Sequence, residues 1–234
     1  MAKAPFGIII TAKLKPGSTI SARDAAARLH AVVKNEPKAS KYWGYTVGTG
    51  VGEKVCLFCP FTKYADLDRP TTGQVAVQSK AAANVDVDGL ITSVESHLES
   101  VTRSIVEYVP GLSNPPTHDA LAPGPFIYHV EAHLKPGNTI AARDLAAKIA
   151  EAHRKSPNGV KYWGYTTAMG SGDTYHVFIP FEKYADLDGW ATTGEVLAAA
   201  DAATADQMLT EIDSMIEHSQ RQILSYVPGL SIPA

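Results

Sequence analysis

Lys41-Tyr42-Trp43-Gly44-Tyr45-Thr46 returns letter for letter as Lys161-Tyr162-Trp163-Gly164-Tyr165-Thr166, 120 residues further on. The correspondence runs without a gap from Lys15–Asp68 to Lys135–Asp188, and 28 of its 54 positions are identical. Lys15-Pro16-Gly17 matches Lys135-Pro136-Gly137, and Lys63-Tyr64-Ala65-Asp66-Leu67-Asp68 matches Lys183–Asp188. A closing segment, Tyr108-Val109-Pro110-Gly111-Leu112-Ser113, recurs as Tyr226–Ser231 at a shift of 118. The period far exceeds the roughly 20–50 residues of solenoid repeats, so each copy reads as a whole small domain or as half of a closed one. The expected division is 1–113 and 126–234, joined by 114–125, whose prolines and Gly124 suit an exposed, fairly stiff linker.

Within each copy the hydrophobic period changes in a fixed order. Phe6–Leu14 and Phe126–Leu134 alternate as strands and stop at the Lys-Pro-Gly turn. Helices follow, with Ser18 or Thr19, and Asn138 or Thr139, as caps. Their apolar positions are Ile20, Leu29, Val32 and Val33 in one copy and Ile140, Leu145, Ile149 and Ala152 in the other, and they end near Pro37 and Pro157. Tyr42–Val47 and Val55–Phe61 read as a hairpin around Gly48-Thr49-Gly50-Val51-Gly52. Tyr162–Thr167 and Tyr175–Phe181 do the same around Gly170-Ser171-Gly172-Asp173. A long helical stretch is expected over about Val87–Glu107 and again over Ala205–Ser225. Tyr-Val-Pro-Gly-Leu-Ser then closes each copy, its proline allowing at most an edge strand.

Strand, helix, strand, strand, helix, short strand is the order of the split βαβ or ferredoxin-like unit. Two such units in tandem, each ending in an arginine-bearing helix (Arg103, Arg221) and an edge segment, resemble the dimeric α+β barrel superfamily. That superfamily includes antibiotic-biosynthesis monooxygenase-like, ethyl tert-butyl ether degradation-like (EthD-like) and NIPSNAP-like proteins. The resemblance covers nearly the whole chain and lies in element order and length, with no catalytic motif attached. It implies an α+β fold in which two ferredoxin-like repeats form an intramolecular dimeric α+β barrel, their sheets paired around a central cavity and their helices outside.

The two copies disagree most on one predicted surface. In the first strand of the second copy, Phe126, Tyr128, Val130, Ala132 and Leu134 share the face that takes the helices. The other face carries Ile127, His129, Glu131 and His133, where the first copy has Ile9, Thr11 and Lys13 at the last three positions. In the third strand His176 and Phe178 fall on that same face, and His176 stands where the first copy has Cys56. First and third strands are antiparallel neighbours in the ferredoxin-like order, so His176 is expected beside Glu131 and His133. His129 and His133 are about 13 Å apart along an extended strand, too far to share one ion comfortably.

The preferred set is therefore Glu131, His133 and His176, two imidazoles and a carboxylate, a donor set suited to iron(II), zinc or a similar divalent metal with positions left open. His129 is an alternative ligand, an outer partner or a proton carrier. With no metal, His129, Glu131, His133 and His176 become acid/base groups, whereas a plain solvent-facing strand surface would explain the same alternation. The superfamily's heme-handling members imply a further variant, heme ligation by one of these histidines with Trp163 or Tyr165 alongside. Trp43, Tyr45, Trp163 and Tyr165 alternate onto one strand face and could stack on a ligand in the cavity, but strand packing is the preferred explanation.

Other residues receive structural readings. Gly44 and Gly164 mark a bulge or a close backbone approach. The Lys-Tyr-Ala-Asp-Leu-Asp segments occur in both copies and read as turns or contacts between them. Asp24 and Asp144 sit near helix starts, where a negative charge suits the helix dipole. His30, His97, His153 and His218 fall in helical stretches and are placed at the surface, and His118 in the linker. Cys56 and Cys59, the two cysteines of the chain, point to opposite strand faces and cannot easily pair.

The 234 residues, 45% hydrophobic, suffice for one or two ordinary cores. A net charge of -3 and a pI of about 6.2 give no electrostatic footprint for nucleic acid. No apolar run reaches the roughly 20 residues of a membrane span, and Met1–Phe6 leads into a strand pattern instead of a signal peptide, so the chain is expected to be cytoplasmic. Nucleotide-binding, Walker and hydrolase signatures do not occur. The function expected is that of a small-molecule enzyme active in the second copy, oxygenase-like or isomerase/lyase-like. The competing class is a non-catalytic module that binds a small ligand or heme, or that assembles into a homo-oligomer.

Overall fold

Eight strands whose side chains alternate between two faces share the molecule about equally with five helices among the described residues. The computed structural model describes residues 5–50, 52–79, 85–116, 124–170 and 172–232. Among them are β1 (Phe6–Leu14), α1 (Thr19–Val33), β2 (Trp43–Thr49), β3 (Lys54–Phe61), α2 (Thr72–Gln78), α3 (Val87–Ser96) and β4 (Leu98–Tyr108). There follow β5 (Phe126–Leu134), α4 (Thr139–Lys155), β6 (Trp163–Met169), β7 (Thr174–Phe181), α5 (Thr193–Met215) and β8 (Ile216–Tyr226). The eight strands form a closed antiparallel barrel in the order β1-β3-β2-β8-β5-β7-β6-β4.

Packing divides the chain into two units, Val106–Ile223 and Ala4–Ile105 with Leu224–Ala234. These are not the copies marked out by the sequence repeat. The 3₁₀ turn Pro110–Leu112, from the first copy, packs on α4 and β6, and Pro228–Leu230, from the second, packs on α1 and β2. Gly164 and Gly44 make room for them: a Cβ on Gly164 would run into the Leu112 carbonyl oxygen, and one on Gly44 into that of Leu230. The close-approach reading of these glycines is thus the correct one. Their backbone amides donate to Ser113 Oγ and Ser231 Oγ, each at 2.9 Å.

Register repeats between the units. β1 pairs with β3 so that Ile9 faces Phe58, Thr11 faces Cys56 and Lys13 faces Lys54. β5 pairs with β7 so that His129 faces Phe178, Glu131 faces His176 and His133 faces Thr174. Every pair sits 120 residues from its counterpart. The opposite strand faces meet the helices, as in the cluster of Leu134, Ala142 and Met215 with Tyr175 and Ile212, and in that of Val33, Tyr42, Val75, Ala76, Val87 and Ile232. Each such aliphatic side chain, taken fully out of water, contributes on the order of 1.5–3 kcal/mol.

Four expectations need correction. The stretches expected as continuous helix, Val87–Glu107 and Ala205–Ser225, are half strand: helix gives way at His97 to β4 and at Ile216 to β8. Arg103 and Arg221 are therefore strand residues. The closing Tyr-Val-Pro-Gly-Leu-Ser segments are 3₁₀ turns, followed by isolated bridges Asn114–Tyr162 and Tyr42–Ile232, and Asn114 is buried within the segment expected as exposed linker. Residues 117–123, which include His118, lie outside the described residues, as do Met1–Ala4 and the turn positions Val51 and Ser171. Ile20 and Ile140, counted among the packed helix positions, are 68% and 78% exposed.

The helix starts differ from expectation in their chemistry. Neither Ser18 nor Asn138 caps through its side chain. Instead Glu53, from the β2–β3 turn, accepts from the amides of Gly17 at 2.9 Å and Thr19 at 3.0 Å, placing a carboxylate at the positive end of α1. Asp173 takes the hydroxyl of Thr139 in the other unit.

Candidate functional site

In an antiparallel pair, residues directly opposite share a face. The β5–β7 register therefore puts His129, Glu131 and His133 on one surface with Phe178, His176 and Thr174, and the β6–β7 register adds Trp163 and Tyr165. β8, unforeseen as a strand, brings Gln222 and His218 to the same cluster.

His129, Glu131, His133 and His176 lie close together on this face, with partners that differ from those expected. His129 Nε2 lies 3.2 Å from His176 Nδ1, and one ligand atom each from His129, Glu131 and His176 fall within 4.8 Å of one another. Two nitrogens in adjacent positions on an ion with bonds of about 2.1 Å stand roughly 3.0–3.4 Å apart. The observed separation fits that span. Among the described residues this is the one group of three or more potential metal ligands, and His133 is not in it.

His133 instead holds Glu131. Its Nε2 is 2.8 Å from Glu131 Oε1, its Nδ1 is 3.1 Å from Thr174 Oγ1, and its ring stacks on that of His218 with centroids 4.0 Å apart. The histidine grouped with Glu131 and His176 is His129, in place of the expected His133.

Each nitrogen of the buried pair has a further neighbour. Gln222 Nε2 lies 3.1 Å from His129 Nδ1, and Gln220 Nε2 donates to Gln222 Oε1 at 3.4 Å. His176 Nε2 is 3.4 Å from Thr167 Oγ1. Phe178 lies flat against His129, centroids 4.4 Å apart and planes within 1°. Burial pushes the His176 pKa down to about 4, against a smaller opposing pull from Glu131, while His133 adds to the fall. Near neutral pH His176 is an uncharged imidazole with a lone pair to offer.

Trp163 and Tyr165, considered as cofactor contacts, are 1% and 2% exposed. Tyr165 packs edge-on against Phe178 and Tyr108 at 5.7 and 5.5 Å. His30 and His153, expected at the surface, are buried edge-on against Tyr42 and Tyr162, the same repeat position in each copy. Cys56 and Cys59 form no disulfide with each other, and burial raises the Cys59 thiol to about 12. Among the described residues no helix is long and apolar enough to cross a membrane.

The sequence does not single out Thr167 or Gln222, and His218, expected on a helix, lies in β8. Thr167 alternates with Tyr165 and could have been found by extending that strand face; Gln222 and His218 could not be placed while their segment was taken for helix.

Comparison with solved structures identifies the architecture. A candidate monooxygenase from Fusobacterium nucleatum superposes with a TM-score of 0.57 at 11% identity, over 97% of this chain and 94% of its own. An anthrone oxidase-like protein gives 0.58 at 8%, over 97% and 92%. A chlorite dismutase variant from Candidatus Nitrospira defluvii gives 0.53 at 9%, over 98% and 94%. At such identities the likeness shows the fold alone, the dimeric α+β barrel that the element order resembles. No protein-family model matches the chain, and no curated protein does.

Proposed function

We propose that the protein is a small-molecule oxidoreductase whose chemistry resides on the β5–β7 face, where His129, Glu131 and His176 hold a divalent transition metal, iron(II) before zinc. The barrel is then two ferredoxin-like repeats in one chain, with the site built into the second alone. One observation carries the reading: the two imidazole nitrogens face each other at ligand spacing, beside a carboxylate, on a face whose counterpart has no such groups. Two histidines and one carboxylate are the donor set that leaves an iron(II) ion open positions for substrate. A bound ion would supply Lewis acidity and a place for substrate to coordinate.

The chain's own residues do the rest. His133 holds one oxygen of Glu131 by a hydrogen bond and would leave the other available to hold an ion. Phe178, flat on His129, fixes that ring and excludes water from one side. Relatives in fold that are named for monooxygenase or oxidase-like activity support small-molecule redox chemistry over isomerase or lyase chemistry. Heme has less support, because the nitrogens that would ligate it are turned toward each other and Trp163 and Tyr165 are enclosed.

A second reading is favoured by the hydrogen-bond chain itself. Gln222, His129, His176 and Thr167 are linked end to end, a proton path that needs no ion.

Metal analysis of untagged protein, loaded with iron(II) under anaerobic conditions and desalted, separates the readings. One equivalent in the wild type, lost in His129→Ala and in His176→Ala and retained more weakly in His133→Ala, is the expected result. Failure of the wild type to retain metal discards the metal centre. In that case small-molecule turnover abolished by His129→Ala would favour the proton path, and ligand binding indifferent to all three changes would favour a binding module.

A further inference from the structure

Burying a carboxamide is costly unless its hydrogen bonds are made, so a glutamine 5% exposed on a strand calls for a reason. Gln222 has its Nε2 on His129 Nδ1 and its Oε1 on Gln220. Neutral imidazole carries one proton, and whatever engages one nitrogen decides what the other can do. With Nδ1 accepting from Gln222, His129 keeps its proton on Nε2 and donates it to His176 Nδ1, and His176 Nε2–H then donates to Thr167 Oγ1. The chain runs in one direction from Gln220 to Thr167.

To hold an ion through Nε2, His129 must instead carry its proton on Nδ1, where it needs an acceptor. A side-chain amide meets that need by half a turn, exchanging Nε2 for Oε1. Leucine could serve neither state, and a carboxylate only the second. The first copy has Ser104 where Gln222 stands, at the shift of 118, and Ile9 where His129 stands.

We propose that Gln222 is the positioning residue that sets the tautomer of His129 and so switches its Nε2 between donor to His176 and ligand to an ion. The ligand half of this rests on the metal centre proposed above; the tautomer half does not. Nitrogen-15 NMR of histidine-labelled, metal-free protein at neutral pH should find His129 protonated on Nε2 in the wild type, of mixed tautomer in Gln222→Leu, and protonated on Nδ1 in Gln222→Glu. Iron(II) affinity should fall roughly 10- to 100-fold in Gln222→Leu at unchanged stoichiometry and recover in Gln222→Glu. A wild-type tautomer in Gln222→Glu, which keeps the shape of the side chain and so tests the idea even where the leucine variant does not fold, would overturn the proposal. So would wild-type affinity in Gln222→Leu. If the wild type takes up no metal, the proposed function fails while the tautomer shifts still decide the role of Gln222.

Discussion

The β1–β3 face and the β5–β7 face have one backbone register and two chemistries. Where the second presents His129, Glu131 and His176, the first presents Ile9, Thr11 and Cys56 at matching pairs. Thr11 Oγ1 and Cys56 Sγ approach to 3.9 Å, a weak contact, and Lys13 reaches Glu99 at 2.6 Å where His133 reaches Glu131. Phe58 and Phe178, with Trp43 and Trp163, are common to both. The lesson is that one aromatic and glycine framework carries two different sets of side chains on the same register.

That contrast can be broken outright. Replacing His129 by Ile, Glu131 by Thr and His176 by Cys copies the first face onto the second and should abolish metal retention, with the barrel preserved by circular dichroism. The reverse triple change, Ile9→His, Thr11→Glu and Cys56→His, should raise the stoichiometry toward two equivalents. A reverse variant that stays at one would show that these three side chains on the shared register are not enough to make the site.

Next in size are the glycines. Gly44→Ala and Gly164→Ala each drive a methyl into a carbonyl oxygen and should cost on the order of 2–4 kcal/mol by denaturant titration, to a similar degree in the two units. A loss confined to one would argue that the framework is not equivalent.

The pH dependence of stability should be one-sided. His176 titrates near 4 in the fold and near 6.5 unfolded, so between those values the unfolded chain binds more protons. Stability of metal-free protein therefore declines as pH falls from about 6.5 to 4, by on the order of 1–3 kcal/mol, and His176→Cys should remove much of that slope. A slope unchanged in the variant would refute the assignment. Least affected should be the Lys13–Glu99 pair, about half exposed on both sides: Glu99→Gln is expected to change stability by a few tenths of a kcal/mol, measurable only in a double-mutant cycle.

Much of this arrangement was readable in the residues, and the part that was not has a common cause. Strand alternation located the polar face, and the ferredoxin-like order brought His176 opposite Glu131. Which of the two histidines flanking Glu131 turns toward His176 depends on the strand beyond them. Gln222 engages His129 there, and His218 draws His133 into a ring stack. Both lie in β8, which follows α5 directly, Met215 to Ile216, with neither glycine nor proline to announce the change. The same silence at Ser96–Leu98 hid β4. Helix propensity extends across each junction, whereas pairing within the barrel draws these residues into strands, so nothing in the sequence marks the strand that sets the neighbours of His129 and His133.

The crossed tails have a consequence for how the chain comes into being. Gly44 and Tyr42 rest against Leu230 and Ile232, residues translated long after β2 has left the ribosome. These contacts of β2 can be completed only once synthesis has passed residue 232, and truncation before Leu224 should be felt not where the cut is made but around β2.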